Sequence, residues 1–193
     1  MRILGISGSL RADSHNSELL AHAAARLPGH AEFERFDGLR EIPAFDEDLE
    51  SLPPPDAVRE LKQSIDAADG VLIATPEYNG SIPGALKNAL DWASRPYDEN
   101  PLRNKVVAVI GASAGRFGAV GAQADLRRVL ARIGARVVPL DLPVGKAGEV
   151  FAGTDSALPE ALHAQLGELI AEFVSEVEQT VASARLTLRL AAA

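Results

Sequence analysis

What most constrains this chain is an alternation: short, dense apolar runs are separated by stretches in which apolar residues recur every three to four positions. The runs are Arg2–Ser7, Glu32–Phe36, Gly70–Thr75, Lys105–Gly111 and Arg136–Leu140. Those dense in Val, Ile and Leu offer no polar face to water, so they read as strands covered on both sides. Between them, Ile82, Ala85, Leu86, Ala89, Leu90 and Ala93 are spaced i, i+3, i+4, i+7, i+8, i+11, one stripe along a helix. Pro83 suits that helix's first turn, where its missing N–H is no loss. Leu126, Val129, Leu130 and Ile133 repeat the spacing, and Gly134 stops the helix. Leu162, Leu166, Leu169, Ile170, Phe173 and Val177 predict a long last helix, and helices near 16–27 and 55–68 complete the alternation.

Strand–helix–strand connections are right-handed, so five strands joined in this way assemble in few topologies. A five-stranded parallel sheet in order 2-1-3-4-5, with helices on both faces, is the expectation. That order opens a crevice between the first and third strands at their carboxyl ends, where ligands of such sheets bind. The chemistry should sit in the loops after strands 1, 3 and 4.

With 193 residues and neither an internal repeat nor a low-complexity linker, the chain reads as one domain over 1–183 with a C-terminal tail, 184–193. A net charge of -8 argues against nucleic-acid or anionic-membrane partners. The absence of cysteine removes disulfides, thiolate nucleophiles, iron–sulfur clusters and Cys-bound zinc. His15, His22, His30 and His163 lack ligand spacing, so no metal is expected. No apolar run approaches a membrane span. The first residues enter a strand directly and leave no room for a signal segment, which makes the cytoplasm the expected location.

The loop after strand 1 is Ser7-Gly8-Ser9-Leu10-Arg11-Ala12-Asp13-Ser14-His15-Asn16-Ser17, running into a helix. A helix N-terminus presents unpaired N–H groups and a partial positive charge. Ser9, Ser14, Asn16 and Ser17 add neutral donors and Arg11 a charged one, a set that suits a phosphate. The loop has neither a Walker A sequence nor G-x-G-x-x-G spacing. A capped helix with a solvated arginine describes the same residues more plainly. After strand 3, Pro76, Asn79, Gly80, Pro83 and Gly84 specify the shape of the turn. Such a turn offers backbone groups to the edge of a planar heterocycle, with Tyr78 as a wall; it equally describes a strand-to-helix connection whose tyrosine covers the core.

Taken together, two segments carry more. Gly8-Ser9-Leu10-Arg11-x-x-Ser14-x-Asn16 and Pro76-Glu77-Tyr78-Asn79-Gly80-Ser81-Ile82-Pro83-Gly84-x-Leu86-Lys87-Asn88-Ala89-x-Asp91-Trp92 resemble the NADPH-dependent FMN reductase family, which includes flavin, quinone and chromate reductases and some azoreductases. The resemblance spans residues 1–178, including Ile42–Asp48. It implies a flavodoxin-like three-layer α/β sandwich, FMN as cofactor and NADPH or NADH as co-substrate. Ser9, Arg11, Asn16 and Ser17 would hold the FMN phosphate, with Ser14 shaping the loop. Pro76, Glu77, Tyr78 and Asn79 would border the isoalloxazine ring. The loop Ala112–Gly118 would close the other edge through Ser113, Gly115 and Arg116, although Arg116-Phe117 stands where the family is usually richer in glycine. The implied activity is ping-pong transfer of electrons to a small acceptor such as a quinone, free flavin, chromate, or an azo or nitro compound, by a homodimer or homotetramer. No catalytic acid–base residue is implied, because the redox chemistry belongs to the cofactor.

Two other readings start from the same residues. A flavodoxin-type electron carrier is also acidic, but its usual Ser/Thr-x-Thr-Gly-x-Thr loop is absent. Gly111-Ala112-Ser113-Ala114-Gly115 satisfies G-x-S-x-G, with Asp141 or Asp155 and then His163 downstream, the order of a hydrolase with Ser113 as nucleophile. Against it, the glycine-rich stretch runs on to Gly118 or Gly121 and no HGGG-type segment precedes it. Arg116, Arg127, Arg128, Arg132 and Arg136 make this part of the chain basic, either as a solvated helix face or as partners for the 2′-phosphate of NADPH.

Overall fold

A computed structural model describes residues 1–152 and 158–191. Its strands are β1 (Arg2–Ser7), β2 (Glu32–Phe36), β3 (Gly70–Thr75), β4 (Val106–Ala112), β5 (Arg136–Val137) and β6 (Pro143–Val144). Its α-helices are α1 (His15–Ala24), α2 (Asp56–Ala67), α3 (Gly84–Ala93), α4 (Val120–Arg132), α5 (Ala147–Val150) and α6 (Glu160–Ala191). Every strand pair is parallel and the order is β2-β1-β3-β4-β5, the flavodoxin-like arrangement expected.

Successive strand side chains point to opposite faces, and this sorts the apolar residues into two cores. Leu4, Ile6, Val71, Ile73, Val107 and Val109 meet α2, α3 and α4 through Leu61, Ile65, Leu86, Leu90, Leu126 and Leu130. Ile3, Leu72, Ala74, Val106, Ala108 and Ile110 meet α1 and α6 through Leu19, Leu20, Leu166, Ile170 and Phe173. The result is three layers. Every residue of β3 and β4 is buried, and each large aliphatic side chain so placed contributes about 1.5–3 kcal/mol, so these two strands anchor the sheet.

The fifth sheet position departs from the single strand expected over Arg136–Leu140. β5 stops at Val137, and the chain returns to the same edge of β4 as β6, pairing Gly111 with Pro143 and Ala112 with Val144. Pro139 has no N–H with which to continue the ladder. A fully buried side chain, Gln123 of α4, bridges the break: Nε2 donates to Gly118 O at 3.2 Å and Leu142 O at 3.3 Å, and Leu142 N–H donates to Oε1 at 3.2 Å.

The last helix runs through Ala191, so 184–191 continue α6. Among the described residues no helix is long and apolar enough to cross a membrane. At the carboxyl edge of the sheet Ser7 sits opposite Ala74, and Thr75 opposite Gly111. The loops after β1, β3 and β4 therefore emerge side by side.

Candidate functional site

The first loop is pinned at both ends. Gly8 N–H donates to Ala74 O at 2.8 Å, and Ser14, in extended geometry, caps α1 by accepting from Asn16 N–H at 3.2 Å. Ser9 Oγ accepts from Arg11 N–H at 3.4 Å, and Arg40 braces the loop from outside by donating to Leu10 O at 2.6 Å. Ser17 Oγ donates to Ser7 Oγ at 3.0 Å. Arg11 is exposed, and its guanidinium has no carboxylate partner among the described residues.

In the second loop Asn79 (φ 52°) and Gly80 (φ 77°) form a two-residue reversal, closed by Tyr78 N–H to Ser81 O at 3.0 Å and Ser81 N–H to Tyr78 O at 3.1 Å. Positive φ at both central residues is the Asn-Gly hairpin geometry. It leaves Tyr78 projecting, 49% exposed. The loop is tied to α4 on both sides of that turn. Glu77 Oε2 accepts from Ala122 N–H at 3.0 Å in the first turn of α4, where a carboxylate also meets the positive end of the helix dipole. Ser81 Oγ donates to Asp125 Oδ2 at 2.7 Å, and this donation, together with Arg128, holds the Asp125 carboxyl below its usual range. Pro76 has no N–H and those of Tyr78 and Ser81 are engaged, so Glu77, Asn79 and Gly80 carry the amides this turn can offer a ligand.

The third loop is held from the β6 side. Ser113 N–H donates to Val144 O at 3.0 Å, Ala147 N–H to Ser113 O at 3.0 Å and Lys146 N–H to Gly115 O at 2.9 Å. Gly118, at φ 62°, lies so near β6 that a Cβ there would sit 2.5 Å from the Pro143 backbone.

Where the three loops meet, a cleft of about 180 Å³ opens. Ser9, Arg11, Ser14 and Asn16 line it from the first loop, Pro76, Glu77 and Tyr78 from the second, and Ser113 from the third. Ser17, Asn79, Gly115 and Arg116 fall outside its wall; Ala112 and Ala114 of the third loop join it, as does His15, for which no role was expected. One end thus carries hydroxyls, a helix N-terminus and an unpaired guanidinium; the other carries a proline, a tyrosine and small apolar residues. The one carboxylate in the wall, Glu77, is already engaged by α4.

A family description, NADPH-dependent FMN reductase, matches residues 1–149. The chain belongs to the NADPH-dependent FMN reductase family. It is 48% identical over 143 residues to an NAD(P)H-dependent FMN reductase of Pseudomonas aeruginosa, covering 74% of this chain and 75% of that one. It is 47% identical over 132 residues to a 2-hydroxy-1,4-benzoquinone reductase of a Burkholderia species, covering 68% and 70%. Among solved structures it is similar to FerB, a flavoenzyme NAD(P)H:(acceptor) oxidoreductase of Paracoccus denitrificans, with a TM-score of 0.83 and 34% identity over 92% of this chain and 97% of that one.

The donor set fits the family's cofactor. A flavin nucleotide needs cationic and neutral donors for its phosphate and a flat, largely apolar border for its ring, and the two ends of the cleft supply them in that order. Asn16 contributes less directly than the family motif implied, because both ends of its amide are engaged by the Ala112 backbone. The motif residues on α3 do not enter the cleft. Asn88 Nδ2 and Trp92 Nε1 both donate to Pro43 O, at 2.8 and 2.9 Å, and Asn88 Oδ1 accepts from Phe45 N–H at 2.7 Å. They fasten the 43–45 segment to α3.

The hydrolase constellation does not assemble. Ser113 is separated from α4, which begins at Val120, and its Oγ accepts from Gly115 N–H at 3.0 Å. His163 lines a different groove, beside Arg26 and Pro28, and Asp141 pairs with Arg127 at 2.8 Å. Asp155 lies outside the described residues.

Proposed function

We propose that the protein oxidises NADPH or NADH and reduces quinones or comparable small acceptors, with FMN held in the cleft between the three loops. The observation that carries this is the meeting of the α1 donor loop with the Pro76–Tyr78 border in one cleft. The name of the relative at 47% identity, a 2-hydroxy-1,4-benzoquinone reductase, supports the quinone class. Ser9, Arg11, Ser14 and the first amides of α1 hold the phosphate. Pro76, Glu77, Tyr78 and Asn79 border the ring from one side, and Ser113 with its neighbours Ala112 and Ala114 from the other.

FMN held there would supply the redox chemistry, hydride acceptance from a nicotinamide and electron delivery to an acceptor. The chain's own part is placement. Its α4-tethered second loop and β6-tethered third loop fix the two walls, and Tyr78 shields the opening without closing it. Nicotinamide and acceptor use the same opening in turn, which makes turnover ping-pong. No side chain in the wall needs to act as acid or base.

The flavin-binding domain is residues 1–183, working in the cytoplasm, where reduced nicotinamide is supplied, as a homodimer or homotetramer. Exposed Tyr97, Leu186 and Leu190 give such an assembly apolar surface to cover. Denaturing the purified protein and chromatographing the released flavin tests the assignment; a colourless protein that also fails to bind added FMN overturns it. Steady NAD(P)H consumption with a quinone and no second protein separates an enzyme from an electron carrier. Parallel double-reciprocal lines at several acceptor concentrations are the expected kinetics, and intersecting lines exclude a shared opening.

A further inference from the structure

We propose that Arg116, held against the ring of Phe117 on the rim of the cleft, reads the 2′-phosphate on the adenosine of NADPH and makes the enzyme prefer NADPH to NADH. The proposal rests on the flavin reading of the cleft and adds how the reductant is recognised.

Elimination gives the first argument. Five arginines make the β4–α4–β5 region basic, and the structure engages three of them. Arg127 donates to the carbonyls of Val138 and Leu140 and pairs with Asp141 at 2.8 Å. Arg128 pairs with Asp125 at 3.1 Å, and Arg136 with Glu176 at 2.6 Å and Thr180 Oγ1 at 2.8 Å. Arg132 lies in the last turn of α4, about 18 Å along the helix from the end that abuts the cleft. Arg116 is exposed, has no carboxylate partner among the described residues, and stands two residues past Ala114, within about 8 Å of the cleft wall.

Geometry gives the second. The Arg116 guanidinium lies 5.7 Å from the centroid of Phe117, inside the roughly 6 Å range of a cation–π contact. Phe117 is itself 73% exposed, so its ring presents a face to the guanidinium at the surface. The backbone beneath the pair is fixed: Arg116 O presses on Gly145, where no Cβ fits, Gly115 O accepts from Lys146 N–H, and Gly118 O accepts from Gln123. A rigid loop therefore displays a guanidinium already oriented by an aromatic face. That lowers the entropy lost when it pairs with an anion.

Electrostatics gives the third. At a net charge of -8 the protein as a whole repels the more anionic of the two dinucleotides, so a preference for NADPH needs a local cation. A phosphate accepts two parallel N–H donations from a guanidinium; the hydroxyl that NADH carries there offers no charge to pair. The flavin phosphate does not compete, because Arg11 stands at its end of the cleft.

The test compares the wild type with Arg116→Ala, Arg116→Lys and Phe117→Ala. Calorimetry with adenosine 2′,5′-bisphosphate and with 5′-AMP reads the subsite directly, and kcat/KM for NADPH and NADH reads it in turnover. The wild type is expected to favour the bisphosphate by about 10- to 100-fold, the range of a hydrogen bond to a charged group. Arg116→Ala should bring both ratios to near parity. Arg116→Lys should keep part of the preference as a point charge, and Phe117→Ala should lose part of it. Equal affinity for the two nucleotides in the wild type, or an unchanged ratio in Arg116→Ala, overturns the proposal. FMN affinity measured on the same samples keeps the two readings apart. Protein that binds FMN but does not discriminate the nucleotides refutes only the role of Arg116. Protein that discriminates them but binds no FMN refutes only the flavin reading.

Discussion

The carboxamide of Asn16 closes a two-bond ring on the backbone of Ala112: Nδ2 donates to Ala112 O at 2.9 Å, and Ala112 N–H donates to Oδ1 at 2.9 Å. Asn16 lies in the first turn of α1 and Ala112 at the end of β4, so this pair fixes the loop after β1 to the loop after β4. Both groups are buried and cannot turn to water. Asn16→Ala leaves a donor and an acceptor unsatisfied at about 1–3 kcal/mol each, so a loss of about 2–6 kcal/mol is expected in urea denaturation. Asn16→Asp removes the donor and sets a carboxylate against Ala112 O, and should be worse. An Asn16→Ala protein with wild-type stability would show the ring to be idle.

Arg11 differs from Asn16 in having no carboxylate partner among the described residues, whereas both ends of the Asn16 amide are engaged. Arg11→Ala should weaken FMN binding by about 1.5–3 kcal/mol, as for a hydrogen bond to a charged group, with little change in folding stability. Quenching of flavin fluorescence during titration measures it. The effect should shrink with added salt, since the side chain is exposed. Ser113→Ala in parallel should leave a working reductase, whereas loss of an esterase activity would revive the hydrolase reading.

The contrast between these two residues shows what the sequence could tell. Both sit in one motif and both are polar, yet only the fold reveals that one is consumed by a backbone 96 positions away. The doubly covered sheet was legible because Val71–Ile73 and Val106–Ile110 are apolar throughout, and right-handed connections then left few strand orders. The Asn79-Gly80 reversal was legible as a shaped turn, since few residues accept its positive φ. The division of the fifth strand was not, because it depends on a buried Gln123 whose partners lie outside its own helix. Nor was the partner of Glu77, whose carboxylate reaches from the cleft wall to the first turn of α4. His15 joined the cleft unannounced: its ring stacks on Phe151 at 5.6 Å, a contact between distant segments.

Asp125 provides a pH prediction. Donation from Ser81, then from Arg128, holds its folded-state carboxyl below the ordinary value. The unfolded chain therefore takes up this proton first as the solution is acidified. The stabilisation is complete above the ordinary carboxylate value of about 4 and is lost as pH falls through the lower folded value. The difference in melting temperature between wild type and Asp125→Asn should thus be constant near neutrality and shrink in acid. Carboxyl NMR of Ser81→Ala should find Asp125 titrating closer to its ordinary value. If its titration is the same in both proteins, the Ser81 donation is not what lowers it.

Gln123 braces the third loop from beneath. It is fully buried in α4, yet it serves the loop's Gly118 carbonyl and both backbone groups of Leu142 in the gap between β5 and β6. Gln123→Leu conserves volume but strands Gly118 O and Leu142 N–H; Leu142 O keeps the donation from Gly111 N–H at 3.2 Å. Two buried groups left unpaired cost about 2–6 kcal/mol together. Gln123→Glu keeps the acceptor for Leu142 N–H but removes both donors and buries a charge, so it should destabilise more. The loss should not be confined to stability. With Gly118 unheld, the backbone beneath Arg116 and Phe117 loosens, and discrimination between NADPH and NADH should fall even in the Gln123→Leu protein that remains folded. Denaturation curves and the ratio of kcat/KM for the two nucleotides, taken on the same preparation, measure both effects. Lost stability with an intact ratio would mean that Gln123 supports the sheet edge but not the rim.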